Sequence, residues 1–326
     1  MSADPQRQCA VTTPPRPART ASRAVLAAFA ALPALALLVG AVPGRTLDAP
    51  AATAPTAATA STGAPGTGPR ARPAAVRTGC GAPLVIGHRG APLDAAENTM
   101  AAFETALRQG ADWLETDVRT TRDGVPVLMH DATVDRTTDG RGAVAELTAA
   151  RVAGLRVTVG PGRAEPVPTL EDLLRRLSGS GVTLLMEIKW QRAEDVERIA
   201  RLAAGSGAPV RLYSFSVEHL RQAHAVAPGL PVVLVQGAGM AEDPAGLPLR
   251  GIALDRTLAT ADRIAAEHRR GREVYVWVLD DEESWRLMAG RGADGLITDA
   301  AGRARSWADA DCRAGGRAGG RAEPTG

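Results

Sequence analysis

The strongest constraint on this chain is an alternation that runs from residue 84 to residue 299. Short apolar runs come first as "LVIGH" (84–88), "WLETDV" (113–118), "TLLMEIK" (183–189) and "VRLYSFS" (210–216). They continue as "PVVLVQG" (231–237), "GIALD" (251–255), "EVYVWVL" (273–279) and "GLITD" (295–299). Between them lie amphipathic stretches such as "NTMAAFETALRQG" (98–110), "TLEDLLRRL" (169–177), "AEDVERIARLAAG" (193–205), "ATADRIAAEHRRG" (259–271) and "DEESWRLMAG" (281–290). Polar starters (Asn98, Thr169) and glycine stops (Gly110, Gly271) punctuate these helices. Strands that alternate with helices pair in parallel through crossovers.

A ninth run, "VPVLMH" (125–130), follows an Asp123-Gly124 turn with no room for a crossover helix. It is expected to fold back antiparallel as a hairpin after the second strand. Eight strand–helix units in roughly 230 residues predict a (β/α)8 TIM barrel. An open doubly wound sheet is the alternative, but no glycine-rich dinucleotide fingerprint follows the first strand.

The two ends have a different composition. Residues 1–23 carry Arg7, Arg16, Arg19 and Arg23, and residues 24–42 contain no charge. A basic stretch, an apolar stretch and a small-residue exit describe a signal peptide over residues 1–42. An uncleaved membrane anchor is the competing reading, and it is the only membrane association the sequence suggests. Positive charge on the N-terminal side places the rest of the chain outside the cytoplasm either way, secreted or at the cell surface. Residues 43–79, rich in Ala, Thr, Pro and Gly, read as a disordered linker, and 313–326 as a disordered tail. The folded domain is expected over 80–312. A net charge of +2 argues against a nucleic-acid partner.

Barrel chemistry sits at the C-terminal strand ends. His88 and Arg89 end the first strand, between Gly87 and Gly90. Glu115 and Asp117 on the second, and Glu187 and Lys189 on the third, are spaced so that each pair shares one face. Leu114, Thr116 and Val118, and Met186 and Ile188, can then face the helices. Taken singly, each piece reads as a solvated turn or a surface ion pair. Taken together in a barrel, they converge on one mouth. Three inward carboxylates repel unless protonated or neutralised by a divalent cation, and hard oxygen donors suit Mg²⁺ or Ca²⁺. His88 and His130 add two imidazoles for proton transfer near neutral pH, and Arg89 and Lys189 suit an anion such as phosphate.

At these residues the sequence resembles the glycerophosphodiester phosphodiesterase family. The matching text is "HRG…ENTMAAFETALRQGADWLETDVRTTRDGVPVLMHDATVDRTTDGRGAV", then "PTLEDLL", "LLMEIK", "SF" (214–215), "VW" (276–277) and "GADGLITD". The resemblance implies a TIM barrel, one divalent cation on Glu115, Asp117 and Glu187, and acid/base roles for His88 and His130. It also implies phosphate binding by Arg89 and Lys189, and packing of Trp277 against the glycerol of a small-molecule glycerophosphodiester substrate. Where the family tends to Thr-Val-Asn after the tryptophan, this chain has Val278-Leu279-Asp280, which opens the question of the polar contacts there. Fewer than forty residues separate Asp131 from Pro168, so a large cap is not expected.

Rival readings are a phospholipase D of the sphingomyelinase D type and a non-catalytic binding module. The first would need an apolar lipid-facing rim in a chain with only three Phe and two Tyr. The second would be expected to have lost one of the histidines or carboxylates. After cleavage two cysteines remain, Cys80 before the first strand and Cys312 after the last helix; a closed barrel brings them near enough to pair or leaves two free thiols.

Overall fold

A computed structural model describes residues 81–239, 244 and 246–318. The expected signal or anchor (1–42), the linker (43–79) and Cys80 lie outside the described residues. In chain order the strands are β1 (Leu84–Gly87), β2 (Trp113–Thr120), β3 (Pro126–Leu128), β4 (Arg156–Val157), β5 (Glu165–Pro166) and β6 (Thr183–Ile188). Then follow β7 (Val210–Ser214), β8 (Val232–Gln236), β9 (Leu249–Asp255), β10 (Glu273–Trp277) and β11 (Gly295–Thr298). The helices are α1 (Met100–Arg108), α2 (Ala149–Ala153), α3 (Leu170–Leu177) and α4 (Ala193–Gly205). They continue as α5 (Val217–Val226), α6 (Ala261–Arg269), α7 (Glu282–Arg291) and α8 (Ala301–Ala318).

The main sheet runs β1-β11-β10-β9-β8-β7-β6-β2, and β1 also pairs with β2, so it closes. Every pairing around the ring is parallel, and β3 returns antiparallel along β2 with Val118 opposite Leu128. This is a (β/α)8 barrel with the hairpin where the Asp123-Gly124 turn put it; Gly124 has φ +85.

Strand alternation divides the core as the spacing predicted. Leu114, Val118, Met186 and Ile188 point outward and pack with Phe103, Leu173, Leu174 and Ile199 of the helices. Ile86, Leu185, Tyr213, Val233, Val235, Tyr275 and Ile297 fill the barrel. At its N-terminal end the edge of Trp113 meets Tyr275 at 5.7 Å, and the Arg211 guanidinium lies 4.4 Å over the Trp113 ring. Buried Glu273 bonds both Arg211 and Tyr275 and closes that end.

Two details depart from the sequence reading. Helix α1 is capped by Thr99, whose hydroxyl accepts from the Ala102 amide, and not by Asn98. Asn98 has φ +55 and turns into the mouth. Helix α8 runs to Ala318, past the expected tail boundary after Cys312. Cys312 is disulfide-bonded, and its expected partner Cys80 lies outside the described residues. Residues 131–168 build a small second core, in which Val134, Val144, Val152, Leu155 and Val157 pack on Val127 and Met129 of the hairpin. Among the described residues no helix is long and apolar enough to cross a membrane. Thr169 caps α3 as expected, in a reciprocal capping box with Asp172.

The rim turn after β1 depends on close backbone approach. A Cβ on Gly90 (φ +91) would sit 2.6 Å from the Ala102 carbonyl carbon of α1. Gly179 (φ +70) has the same backbone handedness but open space around it. Gly179→Ala should therefore cost only the backbone strain, about 1–2 kcal/mol. Gly90→Ala should cost about 3 kcal/mol or more, because α1 must shift as well. Denaturant unfolding of the two variants checks this; equal losses would contradict it.

Candidate active site

Parallel register sets the acidic layer. Asp117 on β2 and Glu187 on β6 are direct register partners, and Glu115 lies two residues before Asp117 on the same face. All three are buried, and one carboxylate oxygen from each lies within 4.8 Å of the others. Lys189, just after β6, places Nζ 2.8 Å from both Asp117 Oδ1 and Glu187 Oε1.

The charges there are unequally matched. Burial, joined by the Asp117 charge, pushes Glu115 up to about 8. Burial and Asp117 likewise push Glu187 up to about 6, against the pull of Lys189. For Asp117, burial is outweighed by Lys189, Arg89 and His130, which hold it well below the usual carboxylate range. The layer therefore carries more carboxylate than its own cations neutralise. Three convergent, hard oxygen donors with a charge deficit beside Glu115 fit a divalent cation.

The turn after β1 wraps over this layer. Arg89 has φ +52, and its backbone amide donates to Glu115 Oε2 at 2.9 Å. Its Nη1 donates to Glu97 Oε1 at 3.0 Å, while Nε lies 3.2 Å from Asp117 Oδ2 without the alignment to donate to it. Asn98 Nδ2 donates to Asp117 Oδ2 at 2.8 Å, and its Oδ1 accepts from Thr116 Oγ1 at 2.7 Å. Asn98 thus fixes the Asp117 rotamer.

Each imidazole has a carboxylate behind it. His88 Nδ1 lies 2.6 Å from Asp299 Oδ1, and His130 Nδ1 lies 2.7 Å from Asp131 Oδ1. A carboxylate accepting from Nδ1–H leaves Nε2 as the free nitrogen in both rings. His88 keeps 16% side-chain exposure and His130 36%, so solvent and ligand can reach them. Burial pulls the His88 pKa down, but Asp299 and Glu115 more than offset it and the net shift is upward. At His130 burial prevails over Asp117 and Asp131 and the shift is downward. Arg136 donates to Glu97 and to Asp131 together and so ties the β1 loop to the β3 loop.

Trp277 ends β10 on the wall of the mouth. Its Nε1 donates to the Ala253 carbonyl at 3.2 Å, and its ring meets Phe215 edge-on at 5.7 Å. Phe215 in turn lines a cavity of about 220 Å³ with Glu187 and Lys189. All eight residues singled out in the sequence are therefore gathered at one mouth. Sequence reasoning missed the residues that orient them: Asp299 and Asp131 behind the imidazoles, Asn98 and Glu97 in "ENT", and Arg136. The departure at Asp280 also has a structural account. Asp280 Oδ1 accepts from the Asp299 amide at 2.8 Å and from Thr298 Oγ1 at 3.2 Å, so it braces the loop that orients His88.

Comparison with known proteins agrees with this geometry. The family model for the glycerophosphoryl diester phosphodiesterase family matches residues 88–303. A glycerophosphodiester phosphodiesterase from Caldanaerobacter subterraneus is 32% identical over 228 residues, covering 66% of this chain and 93% of the relative. A solved phosphodiesterase from Oleispira antarctica, in complex with the product sn-glycerol-3-phosphate, superposes with a TM-score of 0.63 at 25% identity, covering 70% of this chain and 97% of that one. A glycerophosphodiester phosphodiesterase from Agrobacterium tumefaciens gives a TM-score of 0.60 at 28% identity, over 69% of this chain and 99% of that one. With the barrel, the acidic layer and the match over most of the folded chain in agreement, this protein belongs to the glycerophosphoryl diester phosphodiesterase family.

Proposed function

We propose that this phosphodiesterase is exported, depends on one divalent cation, and hydrolyses glycerophosphodiesters to sn-glycerol 3-phosphate and an alcohol. The observation that carries this reading is the buried acidic layer of Glu115, Asp117 and Glu187, flanked by two imidazoles that carboxylates hold in one orientation. The product found in the Oleispira antarctica phosphodiesterase supports the choice of substrate. Export is supported by the basic and then apolar N-terminal segment.

Glu115, Asp117 and Glu187 would hold Mg²⁺ or Ca²⁺, which when bound supplies Lewis-acid stabilisation of charge on the phosphoryl oxygens. Arg89 and Lys189 add fixed positive charge beside the same phosphate. Trp277 and Phe215 offer an apolar wall to the glycerol. Trp277 stands on β10, and β11 alone separates that strand from β1, so the glycerol lies on the His88 side of the mouth. His88 then accepts the proton of the nucleophile, either water, which gives glycerol 3-phosphate directly, or the glycerol 2-hydroxyl, which gives a cyclic phosphate that water must open in a second step. His130, across the mouth beyond β2, protonates the departing alkoxide. Asp299 and Asp131 hold the two rings so that Nε2 carries out both transfers.

Three outcomes test this. Chelation should abolish turnover and Mg²⁺ or Ca²⁺ should restore it; Glu115→Gln and Glu187→Gln should weaken metal binding, measured by calorimetry, while the fold persists. Undiminished turnover in chelator rejects the cation.

His88→Ala and His130→Ala should each lose about 10²–10⁴ in turnover. A nitrophenyl ester needs no protonation on leaving, so it should rescue His130→Ala and not His88→Ala. The reverse pattern would exchange the two roles.

Asp299→Asn removes the negative charge that holds the proton on His88 Nδ1 and offers a competing NH₂ donor instead. It should lower turnover about 10–10²-fold, less than loss of the ring itself. Because Asp299 raises the His88 pKa, the variant should also titrate His88 at lower pH, readable by NMR. A turnover loss with an unmoved His88 titration would mean that Asp299 acts only on the fold.

A further inference from the structure

A second cavity, of about 570 Å³, opens beside the mouth on the His130 side, within the usual size of small-molecule sites. Arg119 and Trp190 line both it and the smaller cavity that holds Glu187 and Lys189, so the two share one wall. Arg119 Nε donates to the His130 carbonyl at 2.9 Å, and Ala132, two residues beyond His130, also lines the cavity. This is therefore the cavity that adjoins the His130 side of the mouth. The orientation follows from the assignment of the glycerol to the Trp277 side, so this inference rests on the function proposed above.

The lining charge is one-sided. Arg119, Arg122 and Arg192 face the cavity with a single carboxylate, Asp195. Arg192 Nε lies 2.8 Å from Asp195 Oδ2, which matches those two charges. Arg119 and Arg122 form no ion pair among the described residues. Arg122 is exposed; its backbone amide is committed to the Leu147 carbonyl. Trp190, 80% exposed, adds a broad indole face at the boundary of the two cavities. A cationic head group such as choline would find one aromatic face, no unmatched carboxylate and two repelling guanidiniums. Asp117, Asp131 and Glu187 reach Arg119 electrostatically and Asp123 reaches Arg122, but an anion would still find two guanidiniums with no direct ion pair, and phosphate suits their planar forks best.

We propose that this cavity takes the alcohol side of the diester and selects alcohols that carry a second phosphate. The shared chemistry is a glycerophosphodiester whose leaving alcohol is itself phosphorylated, whether as a further diester of a glycerophosphate chain or as a terminal monoester. Arg119 and Lys189 bridge the two anionic positions, and Arg122 receives the outer one.

The test compares kcat/KM of the full chain, with Mg²⁺ or Ca²⁺, on four substrates. Bis(glycerophospho)glycerol carries the second phosphate as a diester, and the 3-phosphate of glycerophosphoglycerol carries it as a monoester. Glycerophosphoglycerol has a neutral alcohol and glycerophosphocholine a cationic one. The first two should exceed glycerophosphoglycerol by about tenfold or more, with glycerophosphocholine lowest, and added salt should shrink the gap because Arg122 is exposed. Whichever of the first two is faster identifies the source. Arg122→Glu should bring the ratio of phosphorylated to neutral alcohol close to one, and Arg122→Lys should retain much of it. Equal or better turnover of glycerophosphocholine, or a ratio that Arg122→Glu does not move, overturns the proposal. Absence of turnover on all four substrates would instead overturn the phosphodiesterase reading beneath it.

Discussion

Three carboxylates buried in one layer of a barrel repel one another, and the mouth is built around containing that repulsion. Asp117 stays ionised because Lys189, Arg89 and Asn98 all address it. Glu115 receives only a backbone amide from Arg89 and electrostatic help from His88 and Arg89, and it is pushed up to about 8. An arrangement of this kind is costly for a fold with no use for it. Replacing the trio with apolar residues would relieve the strain on the layer, so its presence points to a ligand that supplies the missing positive charge.

The loops answer to the same layer. The turn after β1 bends through Arg89 and Asn98, both at positive φ, and it delivers an amide to Glu115 and a carboxamide to Asp117. A non-glycine residue in that region is strained, and here each one's side chain or amide meets a buried carboxylate. Arg136 then fastens Glu97 of this turn to Asp131 beside His130, so the His130 ring and the turn that carries His88 are tied by one connected set of ion pairs. On the opposite side Asp280 holds Asp299, which holds His88.

Much of this was legible in the sequence because it follows from periodicity. Period-two alternation put Glu115, Asp117 and Glu187 inside and Leu114, Met186 and Ile188 outside, and the short Asp123-Gly124 turn required the hairpin. Interactions that depend on closure were not legible. Asp299 is far from His88 in sequence and becomes its neighbour only because β11 pairs with β1. Asn98 resembled a helix cap, since asparagine before a helical run ordinarily caps it. Its left-handed backbone, and the transfer of the cap to Thr99, appear only once Asp117 stands opposite. The segment 131–168 has weak periodicity and two-residue strands, so its small core on the hairpin gave no pattern to read.

Closure of the barrel's lower end by Trp113, Tyr275, Arg211 and Glu273 makes the chamber blind. Anything that reaches Glu115 enters by the upper rim and must retreat by the same route. Two fragments made by cutting one molecule there cannot leave through opposite doors. The fragment nearer the rim goes first, and the one held against the acidic layer follows. Exit is thus sequential by architecture, and the deeper fragment, while it lingers, stands in the path of the next molecule.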